Sequence, residues 1–319
     1  MHTILIVKTT SMGDVIQYLP AVTDLRAHFP DARIDWLVEE PFAPLARLHP
    51  AVRDVIPIAL RRWRRRLLLP STWREMGALR RRLAGAGYDK VIDAQGLFKS
   101  AMLARLGRAP ISGYARGSGR EAIATHFYSE RFEVSWERHA VERNRMLTAA
   151  ALGYVANTPI DYGIHAPEPR ADAWRPKEPY ALLFTATARD EKLWPEPNWI
   201  ELGRALNRKG LMCVLPAGNA VERERAQRIA KQLPHAELVP PMGLDSLSTV
   251  IERAQCAVGV DTGLSHLAAA LRVPIVAIYV ATEPGANGVA GDRTAINLGS
   301  TGRSPSVAEV LHELRAWCG

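Results

Sequence analysis

The sequence predicts an α/β protein of two parallel-sheet domains facing across a cleft. Short, wholly apolar runs alternate with segments of helical period along both halves of the chain, the pattern of buried parallel strands wrapped by helices. Between the halves, residues 157–179 carry five prolines (Pro159, Pro167, Pro169, Pro176, Pro179) and no clear period, as a linker does. At 319 residues the chain is long enough for two domains, drawn here as 1–160 and 180–304 with a linker at 161–179 and a terminal segment at 305–319.

In the first half Ile4-Leu5-Ile6-Val7 is the opening strand, and further strands are predicted at 33–38, 55–58 and 90–93. Helices are predicted at 15–28, where Val15, Leu19, Val22 and Leu25 recur at helical spacing, and at 72–85, 97–106 and 139–152. In the second half strands are predicted at 180–184, 211–215, 236–239, 256–260 and 274–279, with helices at 197–208, 221–232, 245–254 and 264–271. Open parallel sheets bind ligands beyond the carboxyl ends of their strands, so the polar strand-to-helix junctions are the candidate sites.

Asp261-Thr262-Gly263-Leu264-Ser265-His266 lies between a predicted strand and a predicted helix. A helix start offers unpaired N–H groups and a positive dipole end, which favour an anion such as a diphosphate. Gly263 lets the backbone approach such a group, and Asp261 can accept hydrogen bonds from sugar hydroxyls. The other reading is an ordinary strand-to-helix turn, with His266 structural instead of a sugar ligand. After the first strand, Lys8-Thr9-Thr10-Ser11-Met12-Gly13-Asp14 holds one glycine where a dinucleotide fingerprint needs three. Asp14 there either serves a ligand or caps the next helix.

The loop Thr185–Pro195 offers Thr187 and Lys192 to phosphate oxygens, and Lys192 is either a counter-charge for a leaving diphosphate or a solvated lysine. Glu222, heading a helix, either binds ribose hydroxyls or complements the helix dipole. Met242, between two elements, either meets a base or fills the core. The chain has no Asp-x-Asp, so protein cations and N–H dipoles are read as the stabilisers of a leaving diphosphate, in a metal-free reaction.

Hydrophobic content of 47% and charged content of 23% describe a soluble globular protein. No apolar stretch approaches the roughly 18 residues of a membrane span, and the first strand begins too early to leave room for a signal peptide. Cys213, Cys256 and Cys318 lack metal-site spacing, which argues against zinc or disulfides and for a cytoplasmic protein. The net charge of +8 is concentrated in residues 61–82, where nine arginines face one acid, Glu75, with Trp63, Leu67, Leu68, Leu69 and Trp73 interleaved. Such a run is a solvated face, a nucleic-acid patch or a surface for anionic membrane.

Over essentially its whole length the chain resembles the lipopolysaccharide heptosyltransferases, and most closely the branch that adds the first heptose. The resemblance is carried by VKTTSMGDV, LVEEPF, VIPIALRRWRR, VIDAQGLFKS, HAVERNR, TARDEKLWPE and VGVDTGLSHLAAAL. It implies a GT-B architecture of two Rossmann-like domains, the first binding acceptor and the second ADP-heptose, with 305–319 a helix packing back on the N-terminal domain. It also implies inverting, metal-independent transfer of heptose from ADP-heptose to the first Kdo of Kdo2-lipid A, with no cofactor. Asp14 matches the general base. Lys192, Thr187, Glu222, Asp261, Thr262, Gly263 and His266 match donor-binding positions, and Met242 matches one whose backbone meets adenine. Arg61, Arg62, Arg64, Arg65, Arg120 and His139 match positions associated with the acceptor's phosphates and carboxylates.

A lipid acceptor in turn implies peripheral binding to the cytoplasmic face of an anionic inner membrane, through Arg61–Arg66 and Trp63. It implies no nucleic acid and no partner protein. A later-acting heptosyltransferase and a basic nucleic-acid-binding protein are the rival readings. Thr10 stands where the family commonly has Ser, Ala188 where close relatives have a second Thr, and Tyr279–Gly285 lacks a common Gly-Pro.

Overall fold

Every strand predicted from the sequence forms, within two six-stranded, wholly parallel sheets. The computed structural model describes residues 2–169 and 173–318. Residues 170–172 of the predicted linker, the first residue and the last residue of the predicted terminal helix lie outside the described residues. The chain divides into two units, 1–163 and 164–319.

In the first unit β1 (Thr3–Val7), β2 (Arg33–Glu39), β3 (Val52–Ile58), β4 (Lys90–Asp93), β5 (Ile111–Tyr114) and β6 (Glu130–Phe132) lie in the order β3-β2-β1-β4-β5-β6. The second unit repeats that order with β7 (Tyr180–Phe184), β8 (Met212–Leu215), β9 (Ala236–Leu238), β10 (Cys256–Val260), β11 (Ile275–Tyr279) and β12 (Ala295–Gly299), arranged β12-β11-β10-β7-β8-β9. This is the doubly wound order, whose direction reverses between the first and fourth strands of each sheet. Central strands are buried on both faces: Ile4, Leu5, Ile6 and Val7 of β1 are fully buried, as are Ala181, Leu182 and Leu183 of β7.

Three strands lie outside the sequence expectation, each for a visible reason. β5 reads Ile-Ser-Gly-Tyr, where Gly113 makes room for the ring of Tyr128 in place of a side chain. β6 (Glu-Arg-Phe) and β12 are edge strands with half-exposed, mixed side chains. The helix predicted at 15–28 is two, Met12–Ile16 and Leu19–His28, with Pro20 in the first turn of the second, where its missing N–H costs nothing.

The terminal helix Val307–Leu314 differs from its expected position on the N-terminal domain. Its apolar face, Val307, Val310 and Leu314, is spent in the second unit's own core, against Trp194, Trp199 and Leu206. Trp194 Nε1 donates to Pro305 O (3.0 Å), Lys209 Nζ to Cys318 O (2.7 Å), and the free thiols of Cys318 and Cys256 touch at 2.7 Å. No helix among the described residues is long and apolar enough to cross a membrane.

In the first unit a buried ion pair ties the helix Leu19–His28 to the helix Ala140–Leu152. Arg145 Nε and Nη2 donate to Asp24 at 2.6 and 3.0 Å, and Thr158 Oγ1 adds a third bond to that carboxylate (2.9 Å). In the second unit Gly259 sets how closely the helix Gly263–Ala270 approaches β10. A methyl group there would overlap Ser265 Oγ and come within 2.8 Å of the Phe184 ring. Gly259→Ala should therefore cost about 1–3 kcal/mol of stability, read as a lower urea midpoint at unchanged slope. An unshifted midpoint would show that the strand-helix contact is looser than described.

Candidate functional site

Because strand order reverses between β1 and β4, the loops leaving these two strands meet at the carboxyl end of the first sheet. Gln95, just after β4, binds the loop after β1: its Oε1 accepts from the amides of Thr9 (2.9 Å) and Thr10 (3.0 Å). Trp36 Nε1 fixes the same loop from the β2 side through Lys8 O (3.0 Å). Ser11 then caps a short helix, and Asp14 Oδ2 reaches back to the Ser11 amide (2.7 Å).

Asp14 is thus a capping residue in fact, yet only half of its carboxylate is used that way. Its other oxygen, Oδ1, accepts from Arg120 Nη2 at 2.6 Å. Burial alone would raise the Asp14 pKa, but the charges of Lys8 and Arg120 and the Ser11 amide together hold it below the usual carboxylate range. Lys8 lies beneath, 5% exposed, with Nζ donating to Ala94 O (2.9 Å) and Asn144 Oδ1 (3.4 Å). Burial lowers its pKa to about 8, opposed by the nearby Asp14 charge. Sequence reasoning named Asp14 and Arg120 and missed Lys8. The signal was a lone cation directly after a fully buried strand, where solvent cannot reach it.

Asp93, ending β4, is a structural carboxyl. It accepts from Tyr128 Oη (2.8 Å), Ser100 Oγ (2.9 Å) and the Gln95 amide (3.0 Å), while burial pushes its pKa up to about 6.

The remaining basic residues assigned to an acceptor are spread more widely. His139 caps the helix Ala140–Leu152, its Nδ1 accepting from the Val141 amide (3.2 Å). Arg62 is held by Glu75 (3.0 Å) and Glu40 (3.3 Å), whereas Arg61, Arg64 and Arg65 are exposed. Trp63, expected at a membrane surface, is instead core. It is 6% exposed, packs among Leu79, Leu83 and Ile58, and donates Nε1–H to Glu75 (2.6 Å).

The second sheet repeats the arrangement at its own reversal, between β7 and β10. Asp261 collects the surrounding loops: its carboxylate pairs with Lys192 and accepts from Thr282 Oγ1 (2.8 Å), and its carbonyl accepts from Thr187 Oγ1 (2.8 Å). Lys192 and Asp261 are mostly buried, 14% and 18% exposed. Thr262 stands at the N-cap of Gly263–Ala270 without a side-chain capping bond, so the helix start keeps its anion-favouring character. His266 is buried in that helix.

Glu222 and Met242 also follow strand ends. Glu222 accepts from the Gly218 amide (2.7 Å) and Asn219 Nδ2 (2.8 Å). Met242, in the turn before the helix Leu244–Glu252, lines a cavity of about 460 Å³ with Trp174, Pro240, Pro241 and Thr249. No group of three His, Cys, Asp or Glu among the described residues is arranged to hold a metal ion.

Residues 76–315 match the family model for glycosyltransferase family 9 (heptosyltransferase). The chain is 45% identical over 302 residues to lipopolysaccharide heptosyltransferase 1 of Pseudomonas aeruginosa, covering 93% of this chain and 83% of that one. Among solved structures it is similar to the E. coli heptosyltransferase WaaC with ADP, with a TM-score of 0.91 and 39% identity, covering 98% of this chain and 99% of that one. The same enzyme with ADP-2-deoxy-2-fluoro heptose superposes with a TM-score of 0.87, at the same identity and coverage. With two doubly wound sheets, polar loops at both reversals and these relatives along its length, the chain belongs to glycosyltransferase family 9, the heptosyltransferases.

Proposed function

We propose that this heptosyltransferase moves heptose from ADP-heptose to the first Kdo of Kdo2-lipid A, inverting the anomeric centre and using no metal. The observation that carries the reading is Asp14, a mostly buried carboxylate kept ionised by two cations, one of them an arginine suited to an anionic acceptor. Asp14 takes the proton from the acceptor hydroxyl as that oxygen bonds to the anomeric carbon, opposite the breaking bond to ADP. A carboxyl with a low pKa is a weak base towards a neutral alcohol, so proton transfer comes late, once the oxygen has gained positive charge. An acceptor carboxylate that engages Arg120 draws it away from Asp14 and restores part of the base's proton affinity.

On the donor side Lys192 and the amides at Thr262 and Gly263 neutralise the departing diphosphate, which leaves as a stabilised anion and needs no acid. Lys192 exchanges Asp261 for the diphosphate, and Asp261 then accepts from heptose hydroxyls, with Thr187 and His266 alongside. Glu222 holds the ribose and the Met242 backbone meets adenine. Arg61, Arg62, Arg64, Arg65 and His139 serve the acceptor's phosphates and carboxylates. The lipid acceptor sets the protein peripherally on the cytoplasmic face of the inner membrane, drawn by the arginines of 61–82.

The reading is tested by ADP release from ADP-heptose in EDTA. Release should depend on Kdo2-lipid A and give a product heavier by one heptose; turnover only on an already heptosylated acceptor would assign a later step. Asp14→Asn should lower kcat by about 10²–10⁴-fold with donor affinity kept, as for loss of a general base. Near-normal turnover would remove Asp14 from the mechanism. Arg120→Ala takes away one of the charges that depress the Asp14 pKa, so the acid limb of kcat/KM should move to higher pH. An unmoved limb would mean that Asp14 is not the titrating base. Lys192→Ala should cost about 10²-fold or more in kcat/KM for the donor; a small effect would assign the diphosphate to other groups.

A further inference from the structure

Residues 66–73 form an apolar tip set among exposed arginines. Leu68 is 98% exposed and Trp73 60%, and Leu67 and Leu69 are also exposed. Arg64, Arg65, Arg66 and Arg74 are exposed around them, and of the nine arginines in 61–82 only Arg62 and Arg82 are in ion pairs among the described residues. The tip is built, not loose. Thr72 Oγ1 donates to Arg66 O (2.8 Å), Trp73 Nε1 to Leu67 O (2.8 Å), and the amides of Leu69 and Thr72 to Arg66 O and Leu69 O (both 3.0 Å). The indole N–H and the carbonyls of Arg66, Leu67 and Leu69 are therefore satisfied before anything covers them. These groups would need no new partners if the tip were buried in an apolar phase.

We infer that Leu67, Leu68, Leu69 and Trp73 insert into the headgroup-acyl boundary of an anionic bilayer while the surrounding arginines meet its phosphates. This deepens the lipid-acceptor reading, on which it rests for its purpose, and moves the apolar anchor from the buried Trp63 to Leu68 and Trp73. Charge complementarity commits the patch to anionic lipid. A nucleic acid would share the arginines but has no use for three leucines at the tip, and Trp73 is the single exposed aromatic of residues 61–82 that could stack on a base.

The test is flotation of the full chain with phosphatidylglycerol/phosphatidylethanolamine vesicles and with phosphatidylcholine vesicles, for the parent protein, Leu68→Ser, and Leu68→Ser with Trp73→Ala. Leu68 is so exposed that its single variant keeps the fold, and thermal melts verify this for both variants. The parent should bind anionic vesicles and not neutral ones. Losing one leucine from the apolar phase should weaken binding about tenfold, and the double variant should lose more. Turnover of Kdo2-lipid A embedded in those vesicles should fall in step, with turnover of the detergent-dispersed acceptor unchanged.

Binding that both variants leave intact, equal binding to neutral vesicles, or an oligonucleotide affinity that falls in parallel with vesicle affinity would each overturn the inference. Tip-dependent vesicle binding by a parent that transfers no heptose to dispersed acceptor would uphold the membrane tip and sink the lipid-acceptor reading instead.

Discussion

The reversal of strand order at the middle of each sheet is the constraint on which the rest depends. In a wholly parallel sheet every strand ends at the same edge, and connections on either side of the reversal leave it in opposite directions. The loops after β1 and β4, and after β7 and β10, are left beside one another with polar groups to satisfy. In the first unit Gln95 spends its side-chain oxygen on two amides of the neighbouring loop; in the second Asp261 gathers a lysine and two threonine hydroxyls. Both sheets solve the same geometric problem with different chemistry, a neutral amide in one and an ion pair in the other.

The charged groups at these edges are arranged in partnerships that a ligand can replace. Arg120 leans on Asp14 and Lys192 on Asp261, in each case a cation holding a mostly buried carboxylate. Removing either cation without a replacement would leave a mostly buried charge poorly compensated and destabilise the unliganded protein. An incoming anion that takes the cation must in turn supply something for the carboxylate to accept. A polyhydroxylated sugar with an anionic group does both, which is the physical case for the sugar chemistry proposed at these positions. Lys8 differs from both cations in being held by a carbonyl and an amide oxygen, so it biases Asp14 electrostatically without being its hydrogen-bond partner.

The residues between 61 and 82 show how composition misleads when burial is unknown. Trp63 and Trp73 lie ten residues apart in the same basic run, and both are tryptophans beside arginine. One fills the first unit's core and binds Glu75; the other lies outside, its indole bound to Leu67 O. The helix from Pro70 to Ala84 turns Leu79 and Leu83 inwards to meet Trp63, and that packing leaves the tip at 66–69 uncovered.

By itself the sequence determined the class of fold, nine of the twelve strands and the polar junctions that follow them. Uninterrupted apolar runs such as Ile4–Val7 and Cys256–Val260 have few other stable fates than a sheet buried on both faces. It also carried the family, through long motifs placed at the strand ends. Only the tertiary structure decided β5 and the edge strands β6 and β12, whose short and mixed sequences are held by pairing with their neighbours. It alone placed the terminal helix in the second unit's core, because an apolar face does not encode which of two cores it will enter. And it alone put Arg120 beside Asp14: two residues 106 apart in the chain come within hydrogen-bonding distance when strand order is fixed, and no local pattern records that order.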